Sequence, residues 1–464
     1  METAETAAAP AFVPEPAAEV VATPAPVPVL VSAESAPVQQ TERISAIDAL
    51  RGFALLGILL MNIIPFSMYG GAYDNPTVTG GATGVNLMVW TVLHVLAEGK
   101  MRCLFSLVFG ASMLLLTSRL EKTGNAADVY YRRNLWLILM GIPHAYLLWL
   151  GEILYMYGVC SLILFPFRKM SAKGLLIAGG VFLVMGSAAY IGLSYETKDK
   201  IENGRKAIAV EQSGKALTEE QKDQKKEYDD WLKFNKPNKE QLEKDAKEWR
   251  GSPLDVIKAR AKVVGHFHSI PFYHPLNWDV WSMMLIGMGL FKLGVLSGKS
   301  STSSYVKMLL IGYGIGIPLN SWTAWEIIQS NFDPVRQTMF SSTYDLGRLS
   351  VALGHMALIM LLCRASVWHW ITSRLAAVGQ MALSNYITHS IVCSFLFTGY
   401  GLKWYGTLER HQVYYVVAAI WVFQLIVSPI WLRYYRFGPM EWAWRSLTYW
   451  KKQPFRRETA HSLS

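Results

Sequence analysis

Long apolar runs separated by short polar segments dominate the sequence. Stretches such as 53–60 and 175–184 are apolar on every side, which is typical of helices that cross a bilayer and not of the alternating strands of a membrane barrel. The pattern predicts an all-α, polytopic integral membrane bundle of about ten transmembrane helices, with a range of about nine to eleven. We expect them near residues 49–68, 103–118, 134–150, 152–167, 174–194, 278–297, 305–322, 346–363, 376–398 and 413–433.

Basic residues fall between alternate spans. With ten spans, the basic clusters at 119–133, 168–173, 299, 364–374 and 433–457 lie on one side together with both chain ends. The loops at 151, 196–277, 323–345 and 399–412 lie on the other side. Because Lys and Arg accumulate on the cytoplasmic side, this alternation predicts a multi-pass membrane protein with both termini cytoplasmic.

The same pattern divides the chain into five parts. Residues 1–42 predict a disordered, Ala/Pro-rich cytoplasmic tail, and 43–195 a first membrane helix group. Within that group, the apolar part of 85–102 is shorter than the roughly 20 residues of a span, so we interpret 85–102 as re-entrant or interfacial. Residues 196–277 predict a charged, helical extracytoplasmic insert, 278–436 a second membrane group, and 437–464 a basic cytoplasmic tail.

Composition supports this class. Hydrophobic residues make up 52% of the chain and charged residues only 17%, against about 25% charged in soluble proteins. The net charge of +10 does not indicate nucleic acid, because the basic excess lies beside the spans. The four cysteines show no paired spacing, so we expect no disulfide framework and no metal site.

Ionisable groups at membrane depth are costly, so each is a functional hypothesis. In the segment HVLAEGKMR, His94 and Glu98 precede Lys100 and Arg102. The segment predicts either an ion-paired interfacial turn or a substrate or catalytic site.

A second candidate is GIPHAYLLWLGEILYMYG, where His144 lies in the outer half of one predicted span and Glu152 starts the next. A carboxylate beside a histidine can stabilise the imidazolium, as general-base chemistry requires. The two lie eight residues apart, so they meet only if the chain turns between them. The alternative is a hydrogen-bonded packing histidine.

Polar residues also interrupt two other predicted spans. Asn385 and His389 lie in GQMALSNYITHSIVCSFLF, and Asn62 lies in the first span. They are candidates either for interhelical hydrogen bonds or for the lining of a substrate pocket.

Several blocks together resemble one family. RISAIDALRGFALLGILLMNI, AEGKMRCLFSLVFGAS, GIPHAYLLWLGEILYMYGVCSLIL and YYRFGPMEWAWRSLTYW are similar to blocks of the DUF418 family of bacterial inner-membrane proteins. The resemblance covers about 43–450, and its most distinctive block is GPMEWAWRSLTYW. The chain departs from the family pattern at Glu152, where Asp is expected, and at His389, where Gln is commoner.

The resemblance implies kinship with transmembrane acyltransferases, which carry acyl groups from cytoplasmic acyl-CoA to acceptors across the membrane. On that basis we expect acyl-CoA, foremost acetyl-CoA, as co-substrate and an envelope glycan, lipid or small molecule as acceptor. A membrane-bound O- or N-acyltransferase needs a base, a group that orients it, oxyanion donors and cations for the CoA phosphates. The candidates are His144 or His94, Glu152 or Glu98, then Asn385, Lys100 and Arg102, and finally Arg51, Arg133, Arg374, Arg433 and Arg436.

Two other functions compete with acyl transfer. In a transporter or channel, the buried His and Glu would be a proton or substrate site. A non-catalytic envelope assembly or sensory protein is the third alternative. The expected partners are the lipid bilayer, the acceptor and further copies in a homo-oligomer.

Overall fold

A computed structural model describes residues 44–457 apart from Ser269. The predicted disordered tail at 1–42 lies outside these residues. In chain order the helices are α1 Ser45–Ser67, α2 Gly84–Leu96, α3 Lys100–Leu120, α4 Ala126–Leu147, α5 Leu154–Leu164, α6 Ala172–Gln212, α7 Glu219–Asn235, α8 Lys239–Trp249, α9 Pro253–Phe267, α10 Ile270–Lys292, α11 Thr302–Gln329, α12 Pro334–Thr338, α13 Ser341–Arg364, α14 His369–Gln380, α15 Ala382–Phe397, α16 Arg410–Tyr434 and α17 Pro439–Tyr449.

The fold of the described residues is helical throughout. Their one extended pairing is an isolated antiparallel bridge between Tyr435 and Arg456. Five stretches are long and apolar enough to cross a membrane, namely Ser45–Ser67, Gly84–Leu120, Ala172–Gln212, Ser341–Arg364 and Arg410–Tyr434. The predicted all-α membrane bundle is therefore confirmed, while the count of ten spans stays a prediction.

The two ends of the bundle are covered by different segments, the insert at one end and α17 at the other. At the insert end, defined by helices α7 to α9, Arg205 pairs with Asp333 at 2.7 Å and Arg260 donates to the carbonyl of Leu147. At the tail end, defined by α17, Trp444 donates to the carbonyl of Arg133 at 2.9 Å. Asp333 and Leu147 thus lie with the insert, and Arg133 lies with the C-terminal tail. Which end faces the cytoplasm stays a prediction.

Helices α2 and α3 are separated by a sharp turn. Helix α2 ends at Leu96, Gly99 has a left-handed φ of 68°, and α3 begins at Lys100. A Cβ on Gly99 would collide with the hydroxyl of Tyr344 and the side chain of Arg348. Because glycine adopts positive φ without steric cost and has no side chain, it lets this turn pack directly against α13. The chain from 85 to 102 is therefore not one continuous helix.

Helices α1 and α14 approach each other through two glycines. A Cβ on Gly52 would collide with the carbonyl oxygen of Leu375, and one on Gly379 with that of Asp48. Small residues at such a crossing let two helix backbones touch. The helix is interrupted at Met381, directly after α14. The predicted span at 376–398 therefore consists of parts of two helices, α14 and α15.

The insert joins the bundle without a boundary at residue 196. Helix α6 is continuous for 41 residues and carries the chain from the tail end into the insert. The insert then packs on the loop after α15, where the amide of Gly399 donates to the carbonyl of Trp249 at 2.9 Å and Arg250 donates to that of Tyr405.

Candidate functional site

Each end of the bundle contains a polar cavity. The insert-side cavity has a volume of about 280 Å³ and is walled by α3, α6, α10, α11 and α13. Its polar lining comprises Asp74, His94, Glu98, Arg102, Ser187, Tyr190, Asp279, Asn320, Thr323, Gln337, Ser341, Thr343, Tyr344, Asp345 and Arg348. The segment from His94 to Arg102, predicted as a site, therefore faces a cavity.

Arg348 is the centre of the ion pairs in this cavity. Its guanidinium lies 2.5 Å from carboxylate oxygens of both Asp279 and Asp345, although the residue is only 1% exposed. Arg102 approaches Asp279 at 3.3 Å. A buried charge needs such partners, because an unpaired one would cost several kcal/mol. The network holds α3, α10 and α13 in a fixed arrangement around the cavity.

The turn at Gly99 places the remaining charged groups. Tyr344 donates to Glu98 at 3.0 Å, and Lys100 lies 3.9 Å from the same carboxylate. Lys100 also donates to the carbonyl of His94 at 2.7 Å, which ties the end of α2 to the start of α3. His94 stacks on Trp90, with ring centroids 4.8 Å apart. These contacts are those expected of an ion-paired turn. His94 and Glu98 nevertheless line the cavity.

Asp74 completes the wall from the loop that follows α1. Loss of solvation raises the pKa of Asp74 to about 7; the charge of Glu98 adds to the rise and that of Arg410 opposes it. Near neutral pH this carboxyl can therefore exist in both protonation states.

The tail-side cavity has a volume of about 190 Å³. Arg51, Arg133 and Arg445 line it together with a mainly apolar interior formed by Phe105, Phe109, Ile153, Leu154, Tyr157 and Tyr386. Of the five arginines predicted to bind CoA phosphates, the structure brings Arg51 and Arg133 to this cavity. Arg374 instead donates to the carbonyl of Leu425, and neither Arg433 nor Arg436 is among the lining residues.

The two lining arginines are held differently. Arg51 pairs with Asp48 at 2.6 Å and donates to Ser112 at 2.8 Å. Arg133 lies over the ring of Trp444 at 3.6 Å, an arrangement in which the cation is attracted by the ring face. Both contacts set the direction of the guanidinium and leave charge at the cavity wall.

Glu441 of the closing block fixes the start of α15. Its carboxylate accepts from the backbone amides of Leu383 and Ser384 at 2.6 and 3.1 Å and from the hydroxyl of Ser384 at 2.6 Å. Helix N-termini have unpaired amides, and a side-chain acceptor satisfies them. Burial raises the pKa of Glu441, while the bonds from Ser384 oppose the rise.

The chain does turn between His144 and Glu152. Nδ1 of His144 lies 3.5 Å from Glu152, and Nε2 lies 2.9 Å from the hydroxyl of Ser390. Glu152 also accepts from the amides of Leu154 and Tyr155, which begin α5. His144 is buried and is not among the lining residues of either cavity. Its ring lies 5.1 Å from that of Tyr386, which does line the tail-side cavity.

The polar residues of α15 bond to α16. Asn385 donates to Ser428 at 3.1 Å, and Gln424 donates to the carbonyl of Asn385 at 3.0 Å. His389 lies 2.8 Å from Gln424. These bonds fit the interhelical alternative, and neither Asn385 nor His389 lines a cavity. Asn62 is partly exposed on α1 and also lines neither cavity.

Helix α3 contributes lining residues to both cavities. Arg102 lines the insert-side cavity and Phe105 the tail-side cavity, and three residues of helix advance about 4.5 Å. Beside them, Ser106 and Tyr157 share a hydrogen bond of 2.7 Å. Lining residues of the two cavities therefore lie within one turn of each other on α3.

Sequence reasoning missed several of these residues. Asp279 and Arg348 lie inside predicted spans, so the criterion that selected His144 would also have selected them. Tyr344 and Asp345 precede Arg348 by one helical turn. Glu441 and Trp444 belong to the block GPMEWAWRSLTYW, which carried the resemblance but received no role.

The fold and the two cavities define a helical integral membrane protein with polar sites at both ends of its bundle. Within it, residues 290–451 match the family described as "Protein of unknown function (DUF418)". The predicted resemblance to the DUF418 family is therefore confirmed for this region of the chain.

Curated relatives extend the similarity over nearly the whole chain. The chain is 28% identical to the "Uncharacterized protein YeiB" of Escherichia coli (strain K12), over 88% of this chain and 96% of that protein. It is 29% identical to the "Uncharacterized protein YxaH" of Bacillus subtilis (strain 168), over 91% and 98%. It is 25% identical to an "Uncharacterized 39.9 kDa protein in amylase 3'region" of Bacillus acidopullulyticus, over 90% and 97%. No solved structure matches the chain.

Proposed function

We propose that the protein transfers an acyl group from acyl-CoA, bound at the tail-side cavity, to a hydroxyl or amine acceptor bound at the insert-side cavity. The observation that carries the proposal is that Arg102 lines one cavity and Phe105 the other, within one turn of α3. An acyl thioester that extends through the apolar part of the tail-side cavity would end close to the acceptor cavity.

The tail-side cavity suits the donor. Arg51 and Arg133 supply cations for phosphates, and guanidinium groups bind phosphate through paired hydrogen bonds. The apolar interior suits the pantetheine arm and the acyl chain. On the predicted topology this cavity opens to the cytoplasm, where acyl-CoA is found.

The insert-side cavity suits the acceptor and supplies a base. His94 lines it, and the Glu98 carboxylate nearby can stabilise an imidazolium. In the proposed step, the acceptor oxygen or nitrogen attacks the thioester carbonyl carbon and His94 takes the acceptor proton. The carbon–sulfur bond then breaks, and the CoA thiolate takes up a proton. Arg102 and Lys100 are the nearest cations for the developing oxyanion.

His144 was the first choice of base from the sequence, and it remains the alternative. The Glu152 carboxylate lies close enough to orient the His144 ring, but His144 is buried and lines neither cavity. His94 is preferred because it reaches a cavity without any movement of the protein.

The test is transfer of radiolabel from acetyl-CoA by the purified, reconstituted protein to an extract of envelope acceptors. His94→Ala should lower turnover by roughly 10²–10⁴-fold, the range for general-base catalysis. Loss in His144→Ala with full activity in His94→Ala would assign the role to His144. Absence of both labelled product and released CoA thiol in the wild type, with a full range of acceptors, would refute acyl transfer.

The donor site has its own matched comparison. Arg133→Ala should raise KM for acetyl-CoA roughly tenfold or more, since a hydrogen bond to a charged group contributes about 1.5–3 kcal/mol. Arg433 is exposed near the same end and lines neither cavity, so Arg433→Ala should leave KM unchanged. Equal effects would mean that the arginines act only through overall charge.

Transport is a second candidate because of one specific feature. Helices are broken beside each cavity, at Gly99 and at Met381, and discontinuous helices are common in transporter sites. Uptake of a labelled sugar or organic anion into proteoliposomes, driven by a proton gradient and without any acyl donor, would favour transport.

A further inference from the structure

The charges around the insert-side cavity cancel. Asp279 and Asp345 are paired with Arg348, and Arg102 also contacts Asp279. Glu98 faces Lys100 at 3.9 Å. Asp74 borders a small adjoining pocket that it shares with Arg410. Glu98, Asp279 and Asp345 thus have three cations beside them, and Asp74 carries only part of a charge near neutral pH, so a ligand with a large charge of either sign would find little net attraction.

The cavity wall also carries neutral hydrogen-bonding groups, namely Ser187, Asn320, Thr323, Gln337, Ser341 and Thr343. Hydroxyl and amide groups both donate and accept, so this wall favours a ligand that carries hydroxyl groups. The carboxylates, with more acceptor sites than their partners fill, favour a ligand that also donates.

Two aromatic rings and the volume of the cavity also restrict the shape of the ligand. Tyr190 of α6 and Tyr344 of α13 line one wall, with ring centroids 5.7 Å apart and planes tilted by 39°. Their faces can pack against the C–H surface of a ring. The volume of about 280 Å³ is close to the lower end of the roughly 300–1,000 Å³ range of small-molecule sites.

We infer that the insert-side cavity binds a neutral, polyhydroxylated ring, that is, an uncharged glycosyl unit, through Arg348, Arg102 and the tyrosine pair. Hydroxyl groups both donate and accept, as a wall of paired guanidinium and carboxylate groups requires. The inference rests on the proposed function in one respect only: the glycosyl unit would be the acceptor of the acyl group. Binding itself needs no acyl donor.

The test is saturation-transfer NMR on the purified full-length protein, in a detergent without a sugar head group. D-glucose is the neutral probe, and D-glucuronate and D-glucosamine are its anionic and cationic analogues. We expect saturable glucose binding with Kd near the millimolar range, about −4 kcal/mol, and at least roughly tenfold weaker binding of both charged analogues, which corresponds to about 1.4 kcal/mol.

Two variants locate the site. Tyr190→Leu should weaken glucose binding roughly tenfold. The control is Tyr195→Leu, at a more exposed tyrosine further along α6 that does not line the cavity, and it should leave binding unchanged. Arg348→Gln should abolish binding, and an unchanged elution profile in size-exclusion chromatography verifies that it folds. If Arg348→Gln does not fold, Tyr190→Leu decides alone.

The outcomes separate this inference from the proposed function. Glucose binding without any acyl transfer would support the site and count against the enzyme. Acyl transfer to a lipid or amine acceptor without glucose binding would support the enzyme and count against the glycosyl site. Absent binding, equal binding of glucuronate or glucosamine, or binding that survives Tyr190→Leu unchanged would each overturn the glycosyl site.

Discussion

Removing the Glu441 carboxylate should destabilise the protein far more than removing a similar helix-capping carboxylate elsewhere. Glu441 is 7% exposed and accepts three hydrogen bonds at the start of α15. In Glu441→Ala, the amides of Leu383 and Ser384 would lose their acceptor inside the protein. Each buried donor left unpaired costs about 1–3 kcal/mol. Allowing for non-additivity between neighbouring bonds, we expect a loss of about 3–5 kcal/mol.

Glu409 provides the matched control. It caps α16 as Glu441 caps α15, but its side chain is 59% exposed. The Asn86 side chain also donates to Glu409 at 2.9 Å. Water can replace Glu409 as the acceptor for both groups at this exposed position, so Glu409→Ala should cost about 1 kcal/mol, as is typical for an N-cap. Ser384→Ala should cost less than Glu441→Ala, because the Glu441 carboxylate keeps its two backbone donors and only the amide of Met440 loses its acceptor.

The assay is the apparent Tm of detergent-solubilised protein, measured by heating followed by fluorescence-detected size-exclusion chromatography. Glu441→Ala should lower the apparent Tm roughly three times as far as Glu409→Ala, in proportion to the free energies above. Equal shifts for the two variants, or an unchanged Tm for Glu441→Ala, would refute the assignment of Glu441 as the buried cap of α15.

Three further predictions concern packing, pH and topology. Gly379→Ala should destabilise the protein by about 1–3 kcal/mol through overpacking and lower its apparent Tm, whereas Gly180→Ala, which has open space around it, should be neutral or stabilising. Burial raises the pKa of Asp245, which accepts from Tyr405 at 2.7 Å; the folded state therefore holds this proton more tightly than the unfolded state. The Tm of the wild type relative to Asp245→Asn should fall as pH rises above about 4, and a constant difference would contradict this. A cysteine introduced at Lys222 should react with an impermeant maleimide added outside spheroplasts, and labelling only after lysis would reverse the predicted orientation.

The helical class and the grouping of loops could be predicted because they depend on local apolar runs and on where basic residues fall. The meeting of His144 with Glu152 could be anticipated because a short loop joins their helices. The ion pairs of Arg348 with Asp279 could not, since 69 positions of sequence separate them and only the packing of α10 beside α13 brings them together. Glu441 likewise acts on α15 from another helix, and no spacing rule links the two.

The turn at Gly99 is a second feature that the sequence predicts only in part. Charge and shortness in 85–102 indicated that the segment was unusual. The position of the turn, however, depends on Tyr344 and Arg348 of α13, which occupy the space where a side chain at residue 99 would lie.

The continuity of α6 has a mechanical consequence. A helix of 41 residues measures about 62 Å, and this rod carries Tyr190 in the cavity wall and Arg205, whose ion pair with Asp333 anchors the insert. Because the rod has no joint between these positions, a tilt of the insert must displace the tyrosine as well. An antibody fragment that binds and tilts the insert is therefore expected to move Tyr190 and change the shape of the insert-side cavity.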